Sequence, residues 1–290
     1  MIATKLVNMV YEKLLKAVNS GRMIKTSPYL SLTDLSERQK ELLWKNFINR
    51  TEPIEKRYIK DLKAYFNKQA KSVLEVMAKY EETGRPFTVE SIDISLFYPD
   101  EWHEELKVMN TKYNLESIKA GGDNADLLRK TFDINDVAIT LFIANKEDTF
   151  AFGINDYTSA LLRNQLLIGL ENQEDMRQLT GRVQNVFNFN EKYRAKRIAQ
   201  TEVIGAANFG SLESSKQSGV VWGNQWLAAL DEHTRPNHAQ LGREQVKVKL
   251  GDRFPLVNVE YPGDPSGAAE NVVNCRCALK PILREPLDEE

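Results

Sequence analysis

From Leu35 to Tyr80 the apolar positions recur in steps of three and four. Leu35, Leu42, Leu43, Phe47 and Ile48 form one stripe, and Ile54, Tyr58, Leu62, Tyr65, Phe66, Val73 and Met77 continue it, with Lys and Glu filling the opposite face. This period is helical, and so long a stripe needs a partner, either another helix of the chain or a neighbouring subunit. Pro53 falls between the two groups and predicts a kink or a second helix, because proline has no amide proton to donate. Gly84 is placed to cap the end, with Pro86 beyond it. The opening segment carries Lys5, Glu12, Lys13 and Lys16 within a helical pattern. It has no apolar h-region, which excludes a signal peptide.

Phe87–Phe97 predicts a strand or an irregular link through Val89, Ile92, Ile94 and Leu96. Tyr98-Pro99-Asp100 then opens a helix with Trp102, Leu106, Met109 and Tyr113 in step. Gly121-Gly122-Asp123-Asn124 predicts a flexible break. Beyond it, 133–145, 155–170 and 173–187 predict separate helices, and a further one runs from Asn190, as its N-cap, to about Lys216.

The character changes at Gly219. The segment 219–227 is short, β-rich and aromatic, and Gln245–Leu250 alternates strictly, as a half-buried strand does. Residues 261–267 (YPGDPSG) form a loop, and Val272–Leu279 predicts a last strand. The expected fold class is α+β: a mostly α-helical body with a small C-terminal α+β module. The expected organisation is a helical N-terminal region 1–120, a helical stretch 121–218 and a compact module 219–290. Trp222, Trp226 and Leu230, with the final strand, are the expected core of that module.

Composition narrows the function. The 290 residues are 42% hydrophobic and 28% charged with net charge −2, which excludes wholesale disorder and a strongly basic nucleic-acid binder. The longest apolar run, Val137–Ala144, is far short of the roughly 20 residues that span a bilayer. Charge is uneven along the chain, and residues 1–90 are net basic by +6. That excess reads first as a solvated helix surface and second as a patch for an acidic partner or for phosphates. Two cysteines cannot make a disulfide framework and point to a reducing compartment.

Three histidines and two cysteines are present, and His233, His238, Cys275 and Cys277 all lie in the module. Pro236 suits the first turn of a short helix bearing His238 and closed by Gly242, with Asp231 and Thr234 as its caps. Cys275 and Cys277, two apart in a strand, project to one side. Two readings stand. His238, Cys275 and Cys277, with Asp231 or His233, are the donors of a structural zinc site; or the cysteines are small buried hydrophobes and no cofactor is bound. A disulfide between them would need strain. P-loop, H-E-x-x-H and deaminase signatures are absent, so catalysis has no positive support.

Larger motifs carry a resemblance. They are Arg197-Ile-Ala-Gln-Thr201-Glu202, Ala207-Asn208-x-Gly210, Trp226-Leu-Ala-Ala-Leu-Asp231-x-x-Thr234-Arg235-Pro-x-His238-x-x-Leu241, and Asn274-Cys275-Arg276-Cys277. Over about residues 150–283 these resemble the phage Mu protein F-like family of minor head, or head morphogenesis, proteins of tailed bacteriophages. The resemblance implies a non-enzymatic virion component, located in the capsid interior or at the portal vertex and in the host cytoplasm during assembly. Its implied partners are the portal protein or the major capsid protein and double-stranded DNA, with several copies per virion and no membrane. The resemblance extends to relatives that append a toxin or transferase domain, and with the short tail after Cys277 none is expected here. The stripe Leu42–Met77 is the expected docking face. Arg235 or Arg276 is expected to pair with Asp231 or Glu202. The alternatives are a DNA-binding virion protein using the basic N-terminal third, and a metal-dependent hydrolase built on His238 and the Cys pair.

Overall fold

The computed structural model describes residues 35–88, 91–92, 101–123, 132–229 and 231–283. The expectations for the N-terminal segment, for most of Phe87–Phe97, for Tyr98-Pro99-Asp100, for Asn124 and for Leu230 fall outside these residues. The chain is α+β and mainly helical. Helix α1 spans Glu37–Thr83, α2 Glu101–Gly122, α3 Val137–Glu171 and α4 Met176–Phe189. A π-helical turn, Asn190–Arg194, leads into α5, Ala195–Ser218. Then follow β1 Val221–Leu227, α6 Pro236–Arg243, β2 Lys247–Lys249, α7 Ala269–Val272 and β3 Ala278–Leu283.

Pro53 opens no second helix: α1 is continuous over 47 residues with Pro53 inside it. A mid-helix proline costs about 3 kcal/mol. On either side Phe47, Ile54, Tyr58 and Leu62 are buried, each contributing about 1.5–3 kcal/mol, and together they outweigh the break. Gly84 ends the helix with φ +64, as its sequence position indicates.

The expected break at Gly121-Gly122 is instead the last turn of α2. A Cβ on Gly121 would lie 1.8 Å from the Ala207 carbonyl oxygen, and one on Gly210 would lie 2.1 Å from that of Ile118. These glycines let α2 and α5 touch backbone to backbone. The two helices expected over 133–145 and 155–170 are one, α3. The run between them, 146–154, holds no Pro, its Gly153 stays within the helix, and its Glu147 accepts a hydrogen bond from the Thr111 hydroxyl at 2.7 Å. It is part of one helix, not a linker. Asn190 is not an N-cap either, since helical backbone runs through it. The π-turn sets Arg194 inward, donating to Thr158 Oγ1 and Asn190 Oδ1, both at 2.8 Å.

The described residues of Met1–Glu55, Asn114–Thr140 and Gln200–Glu290 form one compact unit, and those of Lys56–Tyr113 and Leu141–Ala199 form a second. The units are interleaved along the chain, where the sequence suggests consecutive segments. In the first, Leu35, Leu43 and Phe47 pack with Ile204, Ala207, Leu227 and Ala278. In the second, Tyr58 stacks on Tyr113 at 4.4 Å, Tyr65 meets the edge of Trp102 at 5.7 Å, and Val73 and Met77 join Leu162, Leu166, Val183 and Phe187. The α1 stripe is therefore covered from within the chain. It is not a face left open for docking.

The sheet is antiparallel with order β2-β1-β3. β1 is central and pairs Gln225 with Lys247 on one side and Lys280 on the other. Trp226 is 1% exposed but Trp222 is 40% exposed. An uninterrupted strand would put both on one face. The register shift between Val221 and Gly223 turns Trp222 outward, so the expected core keeps only one of the two rings.

Candidate functional site

The first unit gathers the motif residues around the segment Cys275–Cys277. That segment is not in the last strand, as the alternation of Val273, Cys275, Cys277 and Leu279 suggests. Val272 closes α7, Asn274 turns the chain at φ +58, and β3 begins only at Ala278. The two cysteines sit in the extended lead-in, where side chains two apart still share a side.

Its backbone is pinned from several directions. The Asn274 amide donates to Thr201 Oγ1 at 3.0 Å, and Gln200 Nε2 donates to the Asn274 carbonyl at 3.3 Å. Asn208 Nδ2 lies within reach of the carbonyls of Cys277 (2.9 Å), Pro262 (3.0 Å) and Ile204 (3.1 Å), and its Oδ1 accepts from the Leu279 amide at 3.0 Å. Trp44 Nε1 donates to the Arg276 carbonyl at 3.0 Å. The neighbouring T-E and A-N-x-G motifs of α5 therefore act as a clamp. Thr201 and Asn208 hold the Cys segment, while Ala207 and Gly210 admit α2.

The turn 231–234 works differently from its expected role as a helix cap. Arg235 is the N-cap of α6 and makes no side-chain capping bond, with Pro236 in the first helical turn. Asp231 Oδ1 accepts from the His233 amide at 3.1 Å. The Thr234 hydroxyl shares its proton between the Ala229 carbonyl at 2.8 Å and Asp231 Oδ1 at 3.1 Å. Arg235 reaches the Val273 carbonyl at 2.6 Å, and Arg276 lies 3.6 Å from Glu55. These contacts take the place of the expected pairing with Asp231 or Glu202. Glu55 and Trp44 are separated from Arg276 by more than 200 residues, and no local pattern marks them.

His238, on α6, is 1% exposed, Cys275 2% and Cys277 1%. His238 Nδ1 lies 3.6 Å from Cys275 Sγ and 3.5 Å from Cys277 Sγ. All three ligating atoms fall within 4.8 Å of one another. Cys277 Sγ also accepts from the Ala229 amide at 3.4 Å. The far nitrogen of the imidazole, Nε2, is buried without a hydrogen-bond partner, and the ring meets Trp226 edge to face at 5.0 Å. The hydrogen bond from Cys277, with help from His238, draws the Cys275 thiol down to about 5 against the cost of burial. Burial and the neighbouring Cys275 push the Cys277 thiol up. His233, with its side chain 87% exposed, points to solvent, and Asp231 spends its carboxylate on its own turn.

Residues 160–280 match the family model described as Phage Mu protein F like protein. The match covers less than half of the chain, and that segment is similar to proteins of this family. Two curated proteins are similar. "Uncharacterized protein YqbB" of Bacillus subtilis (strain 168) is 20% identical over 239 residues, covering 79% of this chain and 73% of that protein. "NAD(+)--arginine ADP-ribosyltransferase EFV" of Enterococcus faecalis (strain ATCC 700802 / V583) is 31% identical over 94 residues, 31% of this chain and 19% of that protein. The transferase activity belongs to that protein, of which this chain spans less than a fifth. No solved structure gives a significant match. Among the described residues, no helix is long and apolar enough to cross a membrane.

Proposed function

We propose that the protein is a non-enzymatic minor head component of a tailed bacteriophage, acting in head morphogenesis at or near the portal. The observation that supports this most is the use made of the family motif. Thr201, Asn208 and Arg235 are committed to backbone partners of the Cys segment, and His238 to the cysteines themselves. This network is a structural clamp. The partners proposed are the portal protein, the major capsid protein, or both. Double-stranded DNA is a secondary partner during packaging or delivery.

The basic N-terminal third supports the DNA role only weakly, since several of its described lysines have carboxylate partners. Lys45 pairs with Glu41, Lys68 with Glu105 and Lys71 with Glu75. Such pairs make a solvated helix surface of low net field. The test is deletion of the gene from its phage. Aberrant or empty heads under the electron microscope, with the protein found by mass spectrometry in wild-type particles, are expected. Normal infectious heads without it would overturn the proposal. A steep fall of DNA binding with salt in the purified protein would promote the DNA role.

A further inference from the structure

We propose that His238, Cys275 and Cys277 are three ligands of a zinc ion that ties α6 to the lead-in of β3. The donor set is that of zinc: two soft sulfurs and one imidazole nitrogen. The spacing agrees independently. With Zn–S near 2.3 Å and Zn–N near 2.05 Å, a tetrahedral angle at the metal sets S···N at about 3.6 Å. The two S···N separations are 3.6 and 3.5 Å, without any movement of the side chains.

Burial adds a second reason. All three side chains are nearly withdrawn from water, and ligating atoms buried together at this spacing are satisfied by sharing one metal ion. The Ala229 amide, aimed at Cys277 Sγ, is the kind of outer hydrogen bond that steadies a metal-bound sulfur. The segment is also preorganised: Thr201, Gln200, Asn208 and Trp44 fix its backbone with contacts that do not involve the sulfurs.

On binding, each thiol gives its remaining proton to solvent and both sulfurs bond the ion as thiolates, while the imidazole donates the Nδ1 lone pair and carries its proton on Nε2. Among the described residues the convergent group has these three members. The fourth tetrahedral position is left to water or to a donor from outside the group.

The test uses the full chain. Elemental analysis of purified protein should find about one zinc per chain, as a folding-coupled site retains its ion. Replacing zinc with cobalt(II) should give sulfur-to-metal charge-transfer absorption and the intense visible bands of a tetrahedral ion. A chelator should lower the melting temperature, and zinc but not magnesium should restore it. The double variant Cys275→Ser/Cys277→Ser should lose the metal. If that variant does not fold, the wild-type cobalt spectrum decides alone, because only thiolate ligation gives the charge-transfer band. Zinc-free protein whose melting ignores chelator, a cobalt spectrum without that band, copper recovered in place of zinc, or full zinc retained by the double variant would each overturn the proposal.

Discussion

At the scale of single residues, backbone proximity makes some glycines irreplaceable and leaves others free. Gly121 and Gly210 face carbonyl oxygens at distances no Cβ tolerates, whereas nothing lies within 4 Å of a Cβ placed on Gly153. Gly121→Ala or Gly210→Ala should therefore destabilise by about 3 kcal/mol as the helices are forced apart. Gly153→Ala, inside α3, should stabilise by about 0.5–1 kcal/mol through helix propensity. Urea unfolding measures both, and a shared sign would refute the packing argument. Trp226 is the largest side chain withdrawn from solvent, meeting Phe254 at 5.1 Å and His238 at 5.0 Å. Trp226→Ala should cost about 3–5 kcal/mol. Trp222→Ala, by contrast, should stay near the cost of an ordinary surface change, within about 0.5 kcal/mol. A Trp226→Ala protein that melts like its parent would show that the ring is not a core element.

At the scale of elements, boundaries follow side-chain bonds where the chain turns. Helix α4 begins at a capping box. Asp175 Oδ1 accepts from the Gln178 amide at 2.8 Å, and Gln178 Oε1 accepts from the Asp175 amide at 2.9 Å. Asp175→Ala should cost about 1 kcal/mol. Just before it, Glu174 grips Arg182 with two bonds of 2.6 Å, and Arg182 also reaches Gln165 of α3. The hydrogen bond from Arg182 holds the Glu174 carboxyl below its ordinary range. A depressed carboxylate contributes stability above its unfolded pKa and loses it as pH falls through the lower folded value. Glu174→Gln should thus melt below wild type at neutral pH, and the gap should close on acidification. A gap that stayed constant to acid pH would show that the pair contributes nothing through charge.

At the scale of the whole molecule, residues 219–290 are not self-sufficient. Leu227 and Ala278 share a cluster with Leu35, Leu43, Phe47, Ile204 and Ala207, and the Cys segment depends on α5 and Trp44 for its backbone bonds. A fragment of about 70 residues buries too little of its own to replace these partners. Expressed alone, 219–290 should give poorly dispersed amide resonances and no cooperative melt. A folded spectrum from the fragment would mean that the contacts with α1 and α5 are dispensable.

Local chemistry wrote much of this protein in advance. The period of the α1 stripe, the Gly84 stop, Pro236 at the head of α6, the change to strands at Gly219 and the mainly helical α+β class depend on residues close in sequence, so they were legible there. So was the clustering of His238, Cys275 and Cys277, because the D-x-x-T-R-x-x-H and C-R-C motifs are themselves local. Tertiary structure decided the remainder. Gly121 looks like a hinge until Ala207 is seen against it, and Pro53 looks like a break until the side chains buried around it are counted. Asn190 looks like a cap until Arg194 turns inward beside it. Trp222 and Trp226 look equivalent until a bulge separates their faces. The partners of Arg276 come from α1, more than 200 residues away. Periodicity reports what a segment must bury. What it is buried against depends on distant backbone, and only the folded chain supplies that.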